Sequence, residues 1–273
     1  MDTESRSREE QCKLQSASDR SSITGHHTAG RPISKLSREA TMEGDKASSG
    51  CGSLVLLNCF VSMFGNRVRI ALKRKGLAYE EKPENLADKS PLLLSSNPVH
   101  AKVPVLLVGG KAVCESLVIL EFIDEAFSGA GEPLLPAAPC ARAHARFWAS
   151  YIDSKLPQCA ARVWKSPKGA AAAVEEGKKD LVAVLKTLEA ELGGKPYFAG
   201  DALGYVDVAL VPFAPWFLTY ERFGGFSVAG ECPALAAWAE RCAAENACVA
   251  ESLPEPEQVF QFVCGMRKMF GLD

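Results

Sequence analysis

Residues 54–75, Leu-Val-Leu-Leu-Asn-Cys-Phe-Val-Ser-Met-Phe-Gly-Asn-Arg-Val-Arg-Ile-Ala-Leu-Lys-Arg-Lys, decide how the rest of the chain is read. The mostly apolar run from Leu54 to Cys59 suits a buried strand, and the dozen residues that follow place Phe64, Val68, Ala71 and Leu72 on one helical face. Ser62 therefore stands where the carboxyl end of a strand turns into a helix. Open α/β sheets bind ligands at such places, and there the free backbone N–H groups and the helix dipole favour negative charge. Two readings of the serine follow. It is an N-cap, the commoner role of Ser at such junctions, or its hydroxyl bonds an anion held against the helix start.

Outward from this stretch, Ala78 to Lys82 reads as a second strand, and Ser90-Pro91 begins a short helix within 85–96, since Pro is favoured in a first turn. Val103 to Val108 is a third strand, Gly109-Gly110 a tight turn and Lys111 to Cys114 a fourth strand. From Ser116, the spacing of Leu117, Leu120, Ile123 and Ala126 predicts a helix that stops near Gly129. The resulting order βαβαββα is that of a thioredoxin-like α/β domain, placed at 51–128. A Gly-, Pro- and Ala-rich linker follows at 129–138. Beyond it, 139–273 reads as an all-α domain. Ala141 to Lys165 is a long helix bent at Pro157; Leu181, Leu185, Leu188 and Leu192 keep helical spacing; Asp207 opens a hydrophobic helix through Thr219; Pro233 begins another; Val259, Phe262, Val263, Met266 and Met269 mark a last amphipathic helix.

Composition excludes several classes. Lys+Arg 31 against Asp+Glu 33 gives a formal charge of -2, without the basic stripe of a nucleic-acid binder. No apolar run reaches membrane-spanning length, the richest being broken by Gly204, Asp207, Pro212 and Pro215. The ten cysteines are scattered with no Cys-x-x-Cys pair, so free thiols in a reducing compartment are expected. His26 and His27 sit in a polar tail without ligand-spaced cysteines, and no metal is expected. Residues 1–50 lack hydrophobic periodicity and read as a disordered extension. Their acids, among them Glu4, Glu9 and Glu10, argue against an organelle-import peptide, and Met42 stands as an alternative start.

Three further sites carry chemistry. Pro104 heads a strand; it is either a plain loop proline or, in the cis form, presents the Val103 backbone as an edge for an extended peptide. Cys114-Glu115-Ser116 lies at a strand-to-helix boundary, where the Ser116 hydroxyl and helix N–H groups suit a carboxylate and Glu115 suits an ammonium; an ordinary cap with a first-turn acid is the other reading. Lys89 and Lys102 offer cations for a second carboxylate, although most lysines are merely solvated.

Ser62-x-Phe-Gly-x-Arg-Val-Arg, Lys89-Ser-Pro-Leu-Leu-Leu, Asn97-Pro-Val-His-x-Lys-Val-Pro, Cys114-Glu-Ser and Gly204-Tyr-Val-Asp-Val-Ala together resemble the plant tau class of glutathione transferases, in register from about Leu54 to Asp273. The resemblance implies a cytosolic homodimer that conjugates the glutathione thiolate to apolar electrophiles, in detoxification and stress response, with glutathione as co-substrate and no metal. It implies that Ser62 is catalytic and that glutathione is bound by Lys89, Lys102, Val103, Pro104, Glu115 and Ser116. An apolar substrate pocket of Phe64, Pro157, Ala161, Trp164, Trp216, Phe262 and Met266 is implied as well. Asp207 takes a structural capping role. The chain departs from the usual pattern at Pro157 and Ala161, where larger aromatic or basic side chains are frequent, at Met63 in place of proline, and at Ala101 in place of a first lysine. Glutathione-dependent peroxidase activity would use the same thiolate. Two alternatives compete: a non-catalytic carrier of apolar ligands, and a thiol-disulfide oxidoreductase using Cys59.

Overall fold

Strand β1 (Leu54–Asn58) is apolar along its length because both of its faces are covered. Leu54 and Leu56 point into the main core, while Val55 and Leu57 point to a smaller one shared with Leu93, Val105 and Leu107. The chain then forms α1 (Met63–Arg74), β2 (Glu80–Pro83), α2 (Pro91–Ser96), β3 (Val105–Val108), β4 (Lys111–Cys114) and α3 (Ser116–Ala126). The computed structural model describes residues 52–273. The expected disorder of 1–50, with Cys12, His26, His27, Met42 and Cys51, lies outside the described residues.

The four strands are ordered β2-β1-β3-β4. β2 runs parallel to β1 across the α1 crossover, whereas β3 and β4 are antiparallel to their neighbours, giving the mixed sheet that the element order predicts. Two strands begin later than their patterns suggest. Val55 pairs with Glu80, so Ala78 would lie opposite Ser53, before β1 starts. β3 starts at Val105 instead of Val103 because Pro104 lacks an N–H and follows a cis bond. The β3–β4 turn has φ of 56° at Gly109 and 82° at Gly110, the double positive φ that favours Gly-Gly in a two-residue hairpin. Gly65 answers a different demand: a Cβ there would lie 1.6 Å from the Asn58 side-chain oxygen, so α1 approaches β1 only without one.

The remainder is helical: α4 (Pro139–Trp164), α5 (Ala171–Leu192), α6 (Tyr205–Leu210), a 3₁₀ segment (Val211–Trp216), α7 (Phe217–Gly224), α8 (Val228–Glu231), α9 (Pro233–Glu245), α10 (Ala247–Ala250) and α11 (Pro256–Met269). α4 continues through Pro157 as one element. Leu181, Leu185, Leu188 and Leu192 are all buried on α5, which packs on α4. The single helix expected from Asp207 to Thr219 is instead three segments, since Pro212 and Pro215 remove the N–H groups an α-helix needs there. Asp207 is the third residue of α6, behind the cap Gly204. Its fully buried carboxylate accepts from the N–H groups of Gly204 (2.9 Å) and Phe198 (2.9 Å) and from the Trp238 indole (2.8 Å).

Two buried cations join the sheet domain to what surrounds it. Arg67 of α1, fully buried, donates to the Ala209 carbonyl (2.8 Å), the Ser116 hydroxyl (3.0 Å) and the Asp153 carboxylate (2.6 Å). Lys75 pairs with Asp124 at 2.8 Å, and that carboxylate also receives the Leu134 and Leu135 N–H groups, both at 2.9 Å. Burial raises the Asp124 carboxyl, but Lys75 and the two N–H groups outweigh it and leave it below the usual aspartate range.

Arg67→Met is expected to cost about 3 to 5 kcal/mol in urea unfolding, because it leaves acceptors on three helices without their donor, those at Ala209 and Ser116 buried and the Asp153 carboxylate partly so; an unchanged midpoint would deny the cation a structural role. A depressed carboxyl contributes stability that is complete above the unfolded aspartate value of about 3.9 and is lost as pH falls through the folded value. Asp124→Asn should therefore lower stability by about 3 kcal/mol at pH 7, with the deficit shrinking below about pH 4. Urea melts at both pH values check this, and an equal deficit at each would remove the ion pair as the cause.

Candidate active site

The site is assembled from strand ends and helix starts. After β1 the chain turns through Cys59 to Val61, held by the Ser62 N–H to the Cys59 carbonyl (2.8 Å) and by the Trp216 indole N–H to the Val61 carbonyl (2.9 Å). Ser62 then caps α1, its Oγ accepting the Gly65 N–H at 3.2 Å. No acid occupies the first turn of α1, so the positive end of the helix is not neutralised. Ser62 is 9% exposed as a residue, and among the described residues none accepts its hydroxyl hydrogen. The cap reading is thus correct, and it leaves one O–H free to donate.

A cavity of about 290 Å³ gathers Lys102, Val103, Pro104, Glu115 and Ser116, five of the six residues proposed from the motifs to hold glutathione. The Val103–Pro104 bond is cis, and among the described residues the Val103 N–H and carbonyl make no backbone hydrogen bond. Ser116 begins α3 and is buried, oriented by Arg67. Glu115 precedes it with φ of 70°, a left-handed conformation that a non-glycine residue adopts at a cost of order 1–3 kcal/mol. Ala101, the residue before Lys102, has φ of 50°. Lys89 stands apart, exposed just ahead of α2 and outside this cavity.

Three lining residues escaped the sequence reading. Asn97, within a motif that was read, braces the loop: its amide donates to the Lys102 carbonyl (3.0 Å) and its Oδ1 accepts the His100 N–H (3.1 Å). His100 itself faces Glu115 at 3.8 Å. Asp153 arrives from α4, and no local pattern links it to residue 116.

The seven residues expected to form one apolar pocket do not share a cavity. Phe64 packs edge-on against Phe213 and beneath Arg67, which turns it into the 290 Å³ cavity. Trp164 and Trp216 are buried against each other with centroids 5.8 Å apart, so Trp216 braces the Ser62 turn from the core and exposes little surface. Pro157 and Ala161, half-buried on α4, line neither this cavity nor the next. Phe262 and Met266 do line a cleft, of about 970 Å³, with Phe60, Leu86, Met269 and Phe270. Its α11 wall is held by buried Arg267, which donates to the carbonyls of Trp164, Ser166 and Leu272 and pairs with Asp273.

Cys59 lines the same cleft but is only 5% exposed, and burial pushes its thiol up despite an opposing backbone hydrogen bond from Val61. A thiol so placed lacks the low pKa of a redox-active cysteine, and the oxidoreductase reading loses its nucleophile. The cysteines among the described residues are all free.

Comparison with known proteins agrees with this geometry. A family model described as "Glutathione S-transferase, N-terminal domain" matches residues 52–125, and one described as "Glutathione S-transferase, C-terminal domain" matches residues 171–241. "Probable glutathione S-transferase parA" of Nicotiana tabacum is 52% identical over 220 residues, covering 81% of this chain and 98% of its own length. The crystal structure of rice GST1 (OsGSTU1) in complex with glutathione is 49% identical with a TM-score of 0.75, covering 80% of this chain and 98% of that one. The tau-class MiGSTU from mango, Mangifera indica, is 36% identical with a TM-score of 0.71, covering 77% and 96%. With both domains matched and half of the aligned residues shared, the chain belongs to the glutathione S-transferase family, in its plant tau class.

Proposed function

We propose that this glutathione transferase ionises the glutathione thiol at Ser62 and directs the thiolate at electrophiles held in the 970 Å³ cleft. The observation that carries the reading is the convergence, in one cavity, of the Val103 backbone, without a backbone hydrogen-bond partner among the described residues, with Glu115 and Ser116 at the start of α3. Glutathione is an extended tripeptide with two carboxylates, one ammonium and one thiol. Ser116 and the α3 N–H groups suit its γ-glutamyl carboxylate and Glu115 its ammonium; the Val103 backbone suits the cysteinyl residue. Lys102 suits the glycyl carboxylate from within the cavity. Lys89 would act from outside it, as a longer-range charge.

A free thiol near pKa 8.5 is only a few per cent ionised at neutral pH, and lowering it by two units requires about 2.7 kcal/mol. A hydroxyl bond to the thiolate supplies about 1.5–3 kcal/mol and the α1 N-terminus about 0.3–1 kcal/mol. Ser62 donates its hydrogen without losing it, and the thiol proton leaves for solvent. In an aromatic substitution the sulfur then forms the C–S bond and halide departs with its electron pair.

The same reading extends to assembly and place. Val118 of α3 and Phe147 of α4, 55% and 60% exposed, lie near the Arg146–Glu121 ion pair and support a homodimer across that face. Free thiols, and the lack among the described residues of a helix long and apolar enough to cross a membrane, support the cytosol.

Ultraviolet titration of bound glutathione between pH 5 and 9 tests the mechanism. The wild type should show a thiol pKa about two units below the free value, and Ser62→Ala should restore it towards about 8.5 while glutathione still binds. Turnover in that variant should fall about tenfold or more. A variant with the same thiol pKa and turnover as the wild type would take Ser62 out of the reaction.

A further inference from the structure

The two cavities that flank the Ser62 turn differ in whether a cation lines them. The glutathione cavity has Lys102 and His100 beside its acids. Among the described residues, the charged side chains lining the larger cleft are Glu81 and Glu84, and no Lys, Arg or His lines it. An adjoining cavity of about 620 Å³, which shares Phe60 and Phe262, adds Glu257 and again no cation.

Both carboxylates of the cleft are fixed in place. Glu84 is 8% exposed and accepts from the Ser90 hydroxyl (2.6 Å) and the Ser90 N–H (3.2 Å), neutral donors that orient its charge without cancelling it. Glu81 is held by the Asn58 amide (3.1 Å) and by Arg69 (3.3 Å), so its charge is partly balanced. Facing them are the partly exposed apolar side chains of Phe60, Leu86, Met266 and Phe270, whose surfaces screen a fixed charge less than bulk solvent does.

We propose that the cleft selects its electrophile by charge as well as by apolar surface: it accepts neutral or cationic aromatic acceptors and rejects those bearing a carboxylate, with Glu81 and Glu84 as the specificity-determining residues. The inference rests on the reading of this cleft as the electrophile site. It also accounts for how one protein sorts two substrates across one turn. The carboxylates of glutathione meet a lining lysine, Lys102, on one side of the turn and none on the other.

The test uses the full chain and a matched acceptor series: 4-chloro-3-nitrobenzoate, its methyl ester and its choline ester. In each the thiolate displaces chloride at the same ring carbon, and kcat/KM is divided by the uncatalysed rate constant with glutathione to cancel intrinsic reactivity. The methyl ester should exceed the carboxylate by about tenfold or more, the choline ester should match or exceed the methyl ester, and Glu81→Gln/Glu84→Gln should bring the first ratio towards one. Because Glu84 also caps the start of α2, Glu81→Gln alone gives an independent reading, with a partial fall of the same ratio. A ratio near one in the wild type, or one unmoved by either variant, overturns charge selection while leaving the transferase reading intact. No catalysed turnover of any acceptor, 1-chloro-2,4-dinitrobenzene included, would instead overturn the reading of the cleft and the proposal with it.

Discussion

The guanidinium of Arg67 is the interaction on which the rest of this structure depends. It is fully buried, and it donates to groups on three other helices: the Ser116 hydroxyl, the Asp153 carboxylate and the Ala209 carbonyl. Desolvating such a cation is costly, and only partners of good geometry repay the cost. Phe64 and Phe213 lie against it, with its central carbon 5.1 and 5.6 Å from their ring centres. The helix that Ser62 begins is thereby held against the helix that Ser116 begins. One buried side chain thus sets the spacing of the two helix starts without itself lining the 290 Å³ cavity.

Capping and chemistry are not competing roles in this fold. The Ser62 oxygen accepts a helix N–H, and its own O–H has no acceptor among the described residues. Glu115 shows the complementary arrangement. It sits at a positive φ that the backbone would not choose alone, kept there by the β4 ladder on one side and by α3 on the other. Strain persists where its surroundings over-determine it, and such places are concentrated at sites that bind. The frame around it is held by the Arg67–Asp153 and Lys75–Asp124 ion pairs, whose cations are buried.

The readability of the chain varied with how local each signal was. β4, α2 and α3 appeared where Gly109-Gly110, Ser90-Pro91 and the Leu117 to Ala126 spacing placed them, because turn geometry, caps and helical period act over a few residues. The segment after Asp207 was read as one helix because its hydrophobicity is continuous; the missing N–H groups of Pro212 and Pro215 divide it. Val103, Pro104, Glu115 and Ser116 were legible as a site because each marks a strand or helix boundary. Asp153 was not, since its partner lies 86 residues away. Phe64, Trp164, Trp216 and Met266 were grouped as one apolar pocket by the family resemblance. They prove to be a cavity wall, two core braces and a cleft wall, a distinction that depends on the neighbour each helix face meets.

By itself the sequence determined the order of the elements, the class of fold and the boundary residues at which chemistry is possible, because period, turn chemistry and capping are properties of short stretches. Only the tertiary structure decided which of those boundaries meet, that Lys89 stands outside the cavity holding Lys102, and that the 970 Å³ cleft carries Glu81 and Glu84 with no lining cation among the described residues. The reason is that a buried charge or an apolar face takes its function from the groups packed against it. Those groups come from segments far apart in the chain, brought together by a core that no single segment forms.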